Sequence, residues 1–296
     1  MPRLAVLGHP VAHTRSPAMQ NAALAALGLG EEWSYEAIDV APELFEKRVR
    51  AMPGEGFVGA NVTVPHKTAA FAVADAASEG AQRIGAANTL VFDAGQVQAH
   101  NTDAGGLIAA LPSSPRGVRA LVLGAGGAAR AAVWALRTEG AIVDIWNRTA
   151  TRARQIHLEL SDTIKLQDSI HIEVSDTTTA QDQIHIEVSG GAVTEFDQSG
   201  YGLIVNATAV GLHGEDAFDE MPPLRRDGFG PGVVVADMVY SKGPSTFLEA
   251  AAAAGARVVD GLEILVQQGA LSLQLWTERE PPVEVMRAAA YSLDGS

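Results

Sequence analysis

Cysteine is absent from all 296 residues. That excludes a disulfide framework and a thiolate nucleophile, and nothing in it conflicts with a reducing compartment. Aromatic residues make up only 5% of the chain, too few for a sandwich of aromatic-rich strands. No apolar stretch reaches the roughly 20 residues that span a bilayer, and the run before Gly8-His9-Pro10 is too brief for a secretory signal. A cytoplasmic protein without a membrane partner is the expectation. Positive charge is scarce as well. With 21 Lys and Arg against 35 Asp and Glu, the formal charge is −14, which repels a phosphate backbone and argues against nucleic acid as a partner.

What is abundant is Ala, Val, Leu and Gly, in a chain that is 47% hydrophobic. This suits helices packed on a parallel sheet, so the fold class is α/β, with length for one large or two medium domains. Leu4–Leu7, Trp33–Val40 and Gly56–Val64 read as strands. Helices alternate with them at Ala18–Leu27, with Ser16 as N-cap and Pro17 in the first turn, at Pro42–Met52, and from Lys67 to Ala77. Ile84–Phe92 with Val97–His100 suggests a hairpin or edge strands. A second domain begins near Asn101-Thr-Asp103, with a helix over Gly105–Leu111. Further buried strands are expected at Tyr201–Val205 and Val233–Asp237, then a helix over Pro244–Ala254 and a strand at Arg257–Val259. The helix Leu262–Thr277 is too long for a nucleotide sheet edge and is expected to return to the first domain.

The chain is organised around Leu121-Val-Leu-Gly-Ala-Gly-Gly-Ala-Ala-Arg130. An apolar strand stops at a glycine turn and resumes as an alanine-rich helix, whose unpaired N–H groups suit a phosphate. The spacing differs from the commoner G-x-G-x-x-G and alone is a weak signal. About twenty residues on, the strand Ala141–Trp146 runs into Asn147, Arg148, Thr149 and Arg152. An NAD site would want a carboxylate there to accept the ribose hydroxyls, whereas two arginines suit a 2′-phosphate. NADP is therefore the favoured cofactor.

A repeat interrupts this order. Residues 147–160, 161–174 and 175–188 carry Thr at the third place and end in Ile-His-Leu-Glu-Leu or Ile-His-Ile-Glu-Val. Removing 161–188 would leave an ordinary helix and a Gly190-Gly191 stop, so this stretch reads as a tandem duplication in a surface connection. The first copy suits a helix. Alternation in the two inserted copies favours strands, and the polar face of an edge hairpin explains their His and Glu better than a metal site does.

Three polar stretches remain: Ala12–Pro17, Gly59–Lys67, and Ala86–Thr89 followed by Asn101–Asp103. Each ends an apolar strand, where an open α/β sheet places its ligands. A hydroxyl-rich, carboxylated small molecule would suit them. Lys67 and Asp103 are the candidates for proton transfer, because an ammonium beside a carboxylate can donate to a developing alkoxide. A structural salt bridge at a domain junction fits the spacing equally well.

Together these stretches resemble the shikimate dehydrogenase family over nearly the whole chain outside 161–188. The residues that carry the resemblance are Thr14-Arg15-Ser16, Asn61–Lys67, Asn101–Asp103, Gly124–Arg130, Asn147-Arg-Thr149 with Arg152, Asn206-Ala-Thr208, Asp237–Tyr240 and Gly261–Gln268. The family's hydroxyl pair is normally Ser-x-Ser, so Thr14 adds a methyl group there.

The resemblance implies NADPH-dependent, reversible reduction of 3-dehydroshikimate to shikimate in aromatic amino acid (chorismate) biosynthesis. It implies Lys67 and Asp103 as the catalytic pair, and Thr14, Ser16, Asn61, Thr63, Asn88, Tyr240 and Gln268 around the substrate. The cofactor would lie on Gly124, Ala125, Gly126, Gly127, Ala128, Asn147, Arg148, Thr149, Arg152, Thr208, Met238 and Gly261, and no metal is implied. The expected architecture is an α/β substrate domain of residues 1–103 plus 262–296 and a Rossmann-type NADP domain of residues 104–261, with the site in the cleft. A homodimer is compatible with this reading. The rival readings are a quinate/shikimate dehydrogenase that uses NAD, and a non-catalytic dinucleotide sensor of the same fold.

Overall fold

The computed structural model describes residues 1–168, 197–212, 215–221, 224–240, 243 and 245–292. The chain forms two sheets. The first is built from β1 (Arg3–Gly8), β2 (Ser34–Asp39), β3 (Phe57–Val62), β4 (Ala76–Ala77), β5 (Thr89–Asp93) and β6 (Gln96–His100), in the order β2-β1-β3-β5-β6-β4. β1 runs parallel to β2 and β3, and β5 is antiparallel to both β3 and β6. Its helices are α1 (Ser16–Ala26), α2 (Phe45–Ala51), α3 (Lys67–Val73) and α4 (Glu79–Ile84).

Next come α5 (Asp103–Ala110), β7 (Arg119–Leu123), α6 (Gly127–Thr138), β8 (Ile142–Trp146), α7 (Ala150–Asp168), β9 (Leu203–Asn206), α8 (Ala217–Glu220), β10 (Val234–Asp237), α9 (Thr246–Ala253) and β11 (Arg257–Val259). The five strands form the second sheet, β11-β10-β9-β7-β8, parallel throughout. Ala120–Leu123 of β7 is buried end to end, as a strand covered on both faces must be. The chain closes with α10 (Gly261–Thr277) and α11 (Val283–Tyr291). Among the described residues no helix is long and apolar enough to cross a membrane.

α10 begins where Asp260 accepts from the Glu263 N–H at 2.8 Å, a capping arrangement that fixes its first turn. Its far end docks on the first sheet, where Trp276 Nε1 donates to Leu90 O at 2.9 Å. Between these ends it lies against α5, and the approach is close. A Cβ on Gly106 would sit 2.7 Å from the Gln268 backbone nitrogen, so only glycine lets the two helices meet there.

The structure departs from the sequence-based expectation in four places. Ser16 is the first residue of α1 and Arg15 stands at its N-cap, so the Ser16 hydroxyl is directed to other work. The segment Pro42–Met52 opens with a 3₁₀ turn at Pro42–Leu44 before α2. α3 stops at Val73, and Ile84, read as the start of a strand, ends α4. Ser78 caps that short helix by accepting from Ala81 N, and Gly85 terminates it in the left-handed region. A six-residue helix with an internal glycine has too little periodicity to announce itself. The helix expected for the first repeat copy is present in α7, which continues through Asp168, whereas the strands expected at 170–174 and 184–188 lie outside the described residues.

Candidate active site

β3 ends at Val62, and the chain then turns through Thr63–Pro65 to start α3 at Lys67. His66 pins this start. Its Nε2–H donates to Val40 O at 2.7 Å, its ring stacks on Phe45 at 4.4 Å, and burial pushes its pKa down, which keeps it neutral. Lys67 thereby points at the N-terminus of α5. Its Nζ lies 2.6 Å from Asp103 Oδ2, with side-chain exposures of 15% for the lysine and 8% for the aspartate. So sheltered a pair is not the weak surface bridge that spacing alone allowed. Asn88 Nδ2 holds the other carboxylate oxygen at 2.9 Å, and the same nitrogen reaches Gln268 Oε1 and Thr102 Oγ1 at 2.9 Å each.

Along the same wall runs a chain of hydroxyls and amides. Thr14 Oγ1 donates to Ser16 Oγ at 3.2 Å and lies 3.4 Å from the Tyr240 hydroxyl, which approaches from the second sheet's side. Asn61 Oδ1 accepts from Tyr35 OH at 2.7 Å, while Asn61 Nδ2 donates to Ser272 and Thr89 at 2.9 and 3.1 Å. Burial pushes both phenols, Tyr35 and Tyr240, above their ordinary pKa, so each remains a protonated donor. Thr14, Ser16, Asn61, Thr63, Lys67, Asn88, Asp103, Tyr240 and Gln268 all line one cleft. Ala128, Met238 and Gly261 close its opposite side.

The nucleotide turn borders this cleft. Gly124 has φ +119, and a Cβ there would lie 2.8 Å from Ala207 O. Gly127 touches the other lobe, since its Cβ would fall 2.8 Å from Lys67 Cβ. Above Gly126 there is open space, and the first turn of α6 has no side-chain cap. The turn therefore offers bare N–H groups and room for a diphosphate. The sole carboxylate of β8, Asp144, is buried and already bound by Arg119 Nε at 2.9 Å and Tyr201 OH at 2.8 Å, so it cannot serve a ribose diol. Beyond the strand, Arg148 is 83% exposed and 3.7 Å from Glu220, Arg152 is exposed, and Asn147 Nδ2 donates to Thr149 O. Ala125 belongs to the turn itself. Thr208 stands further along the sheet edge, bonded to Asn206 Oδ1 at 2.7 Å. Cofactor and substrate candidates thus meet at Gly127 and Lys67, while the arginines lie at the far end of the second sheet. The donor set fits a phosphorylated dinucleotide.

Tyr35 and Ser272 lie outside the polar stretches read from the sequence, and Thr89 and Thr102 lie within them without a role of their own. Ser272 Oγ lies 2.8 and 3.1 Å from the Thr89 and Thr102 hydroxyls, and it reaches them from α10. Only the interruption of an apolar helix face by one serine hinted at it.

Residues 6–90 match the family model described as shikimate dehydrogenase substrate binding domain, and residues 261–291 match that described as shikimate 5'-dehydrogenase C-terminal domain. The shikimate dehydrogenase (NADP(+)) of Methanopyrus kandleri is 40% identical over 96% of this chain and 93% of its own length. The chain belongs to the shikimate dehydrogenase family. Another member, from Anaeromyxobacter sp. (strain K), is 39% identical over 98% of this chain and 96% of its own. Among solved structures of the family, the shikimate 5-dehydrogenase of Thermus thermophilus, in complex with NADP(H) and shikimate, superposes with a TM-score of 0.79. It shares 39% identity over 98% of each chain.

Proposed function

We propose that this chain is the NADP-dependent shikimate dehydrogenase of aromatic amino acid biosynthesis, reducing the ketone of 3-dehydroshikimate to the alcohol of shikimate and catalysing the reverse oxidation. The observation that carries this reading is the sheltered Lys67–Asp103 pair, held at 2.6 Å in a cleft walled by hydroxyls and amides on one side and bordered by the glycine turn on the other.

NADPH, when bound, supplies the hydride for the carbonyl carbon. Lys67 delivers the proton to the oxygen that becomes negative, and Asp103 keeps the ammonium in place. Asn88 orients that carboxylate by occupying its other oxygen. Thr14, Ser16 and Tyr240 hold the substrate carboxylate with neutral donors, and Asn61, Thr63, Asn88 and Gln268 face its ring hydroxyls. Met238 and Gly261 would border the nicotinamide, Gly124–Ala128 would cradle the diphosphate, and Asn147, Arg148, Thr149, Arg152 and Thr208 would hold the adenosine end. In domain terms, residues 1–103 with 262–296 would carry the substrate and residues 104–261 the cofactor.

The test is a spectrophotometric assay of shikimate and quinate against NADP and NAD, together with Arg148→Ala. The expected result is turnover with shikimate and NADP, and a variant whose KM rises much more for NADPH than for NADH. Equal effects on the two cofactors would remove Arg148 from the phosphate site.

A further inference from the structure

Arg130 ends the glycine motif, yet the proposed chemistry gives it no task. Its guanidinium is largely sheltered, with 15% side-chain exposure, and pairs with Glu159 on α7 at 2.5 Å. The same group crosses between the lobes, because its Nε donates to Ile84 O, the final carbonyl of α4. It also fills the space over Gly85, where φ is +68 and a Cβ would stand 2.7 Å from an Arg130 nitrogen. Beside it Ile84 and Ala86 of one lobe are buried together with Ala104 and with Ala131 and Ala135 of α6.

The five residues from Ile84 lead straight to the chemistry. A Cβ on Gly127 would be 3.5 Å from Ala86 Cβ, Ala87 N donates to Lys67 O at 2.8 Å, and Asn88 holds Asp103. One end of this strap is thus gripped by the nucleotide lobe and the other grips the catalytic carboxylate. We propose that Arg130 is a positioning residue for the hydride transfer, clamping Ile84–Asn88 so that the glycine turn and the Lys67–Asp103 pair keep a fixed spacing. The proposal rests on the reading of the site given above.

Arg130→Met and Arg130→Lys in the full chain test it by two independent routes. In steady-state kinetics, Arg130→Met should lower kcat about 10- to 100-fold, the scale of a small misplacement of reacting groups. It should also enlarge the deuterium effect from 4-deuterated NADPH while KM for 3-dehydroshikimate stays near wild type, and the single donor of Lys should recover much of the loss. By hydrogen exchange, the Met variant should lose protection at the Ala87 and Asn88 amides without global unfolding. Wild-type kcat and isotope effect in the Met variant, or a kcat loss that Lys does not relieve and that follows Tm alone, would overturn the clamp. If the wild-type protein does not reduce 3-dehydroshikimate, the functional reading fails, and the exchange data still decide. Unchanged protection at Ala87 and Asn88 then removes the clamp, and selective loss retains it.

Discussion

Among the described residues that line the cleft, Lys67 alone is cationic. A ketone oxygen gaining negative charge there has one ammonium to turn to, and Asp103 leaves it nowhere else to point. Lys67→Met keeps most of the aliphatic stem that packs against Gly127 and removes the proton. Its kcat should fall by about 10²- to 10⁴-fold, the worth of a positioned general acid, while fluorescence titration shows NADPH binding close to wild type. Near-normal turnover would take the proton-transfer role away from Lys67. Asn88 matters for a different reason. It spends its amide nitrogen on Asp103, Thr102 and Gln268 together, and its Oδ1 accepts from Thr102 N at 2.6 Å, so it serves as the joint of the polar wall.

At the scale of elements, adjacent glycines on the turn into α6 do unlike work. Around Gly126 a methyl group meets nothing within 4 Å, whereas at Gly127 it meets the stem of Lys67 close to the backbone. Gly126→Ala should therefore leave Tm unchanged and weaken NADPH binding, on the order of tenfold for a methyl placed in a phosphate's path. Gly127→Ala has to move α6 or α3, and should lower both Tm and kcat. Isothermal titration beside thermal unfolding separates the two, and undiminished NADPH affinity in Gly126→Ala would mean that the diphosphate does not pass over that residue.

On the scale of the whole molecule, the second sheet carries a buried charge at its site-facing edge. Asp237 ends β10 fully buried and ties three segments together. It accepts from Asn206 Nδ2 at 2.9 Å, Ser245 Oγ at 2.6 Å and Val239 N at 3.0 Å. Burial nonetheless pushes its carboxyl up to about 6 from 3.8, against these lowering hydrogen bonds. A raised carboxyl pKa means that the folded state holds the proton longer than the unfolded chain. Stability from this group is therefore present below about 4 and lost as pH rises through about 6. Asp237→Asn removes that dependence. Its stability relative to wild type, from urea unfolding at pH 4.5 and 7.5, should improve at the higher pH by about 2 kcal/mol. A relative stability that worsens with pH would show that the hydrogen bonds outweigh the burial.

The sequence by itself determined what is local. Apolar runs marked the parallel strands, the glycine motif marked the turn from β7 into α6, and the order of short motifs marked the family, because each depends on neighbours in the chain. Tertiary structure decided which distant groups meet. Lys67 and Asp103 are 36 positions apart, and Thr14 and Tyr240 are 226 apart. Ser272 reaches Thr89 from another helix, and Arg130 grips a carbonyl in the opposite lobe. No periodicity encodes such pairings. They follow from how helices pack on two separate sheets, where a glycine at Gly106 or Gly127 sets how near the backbones can come.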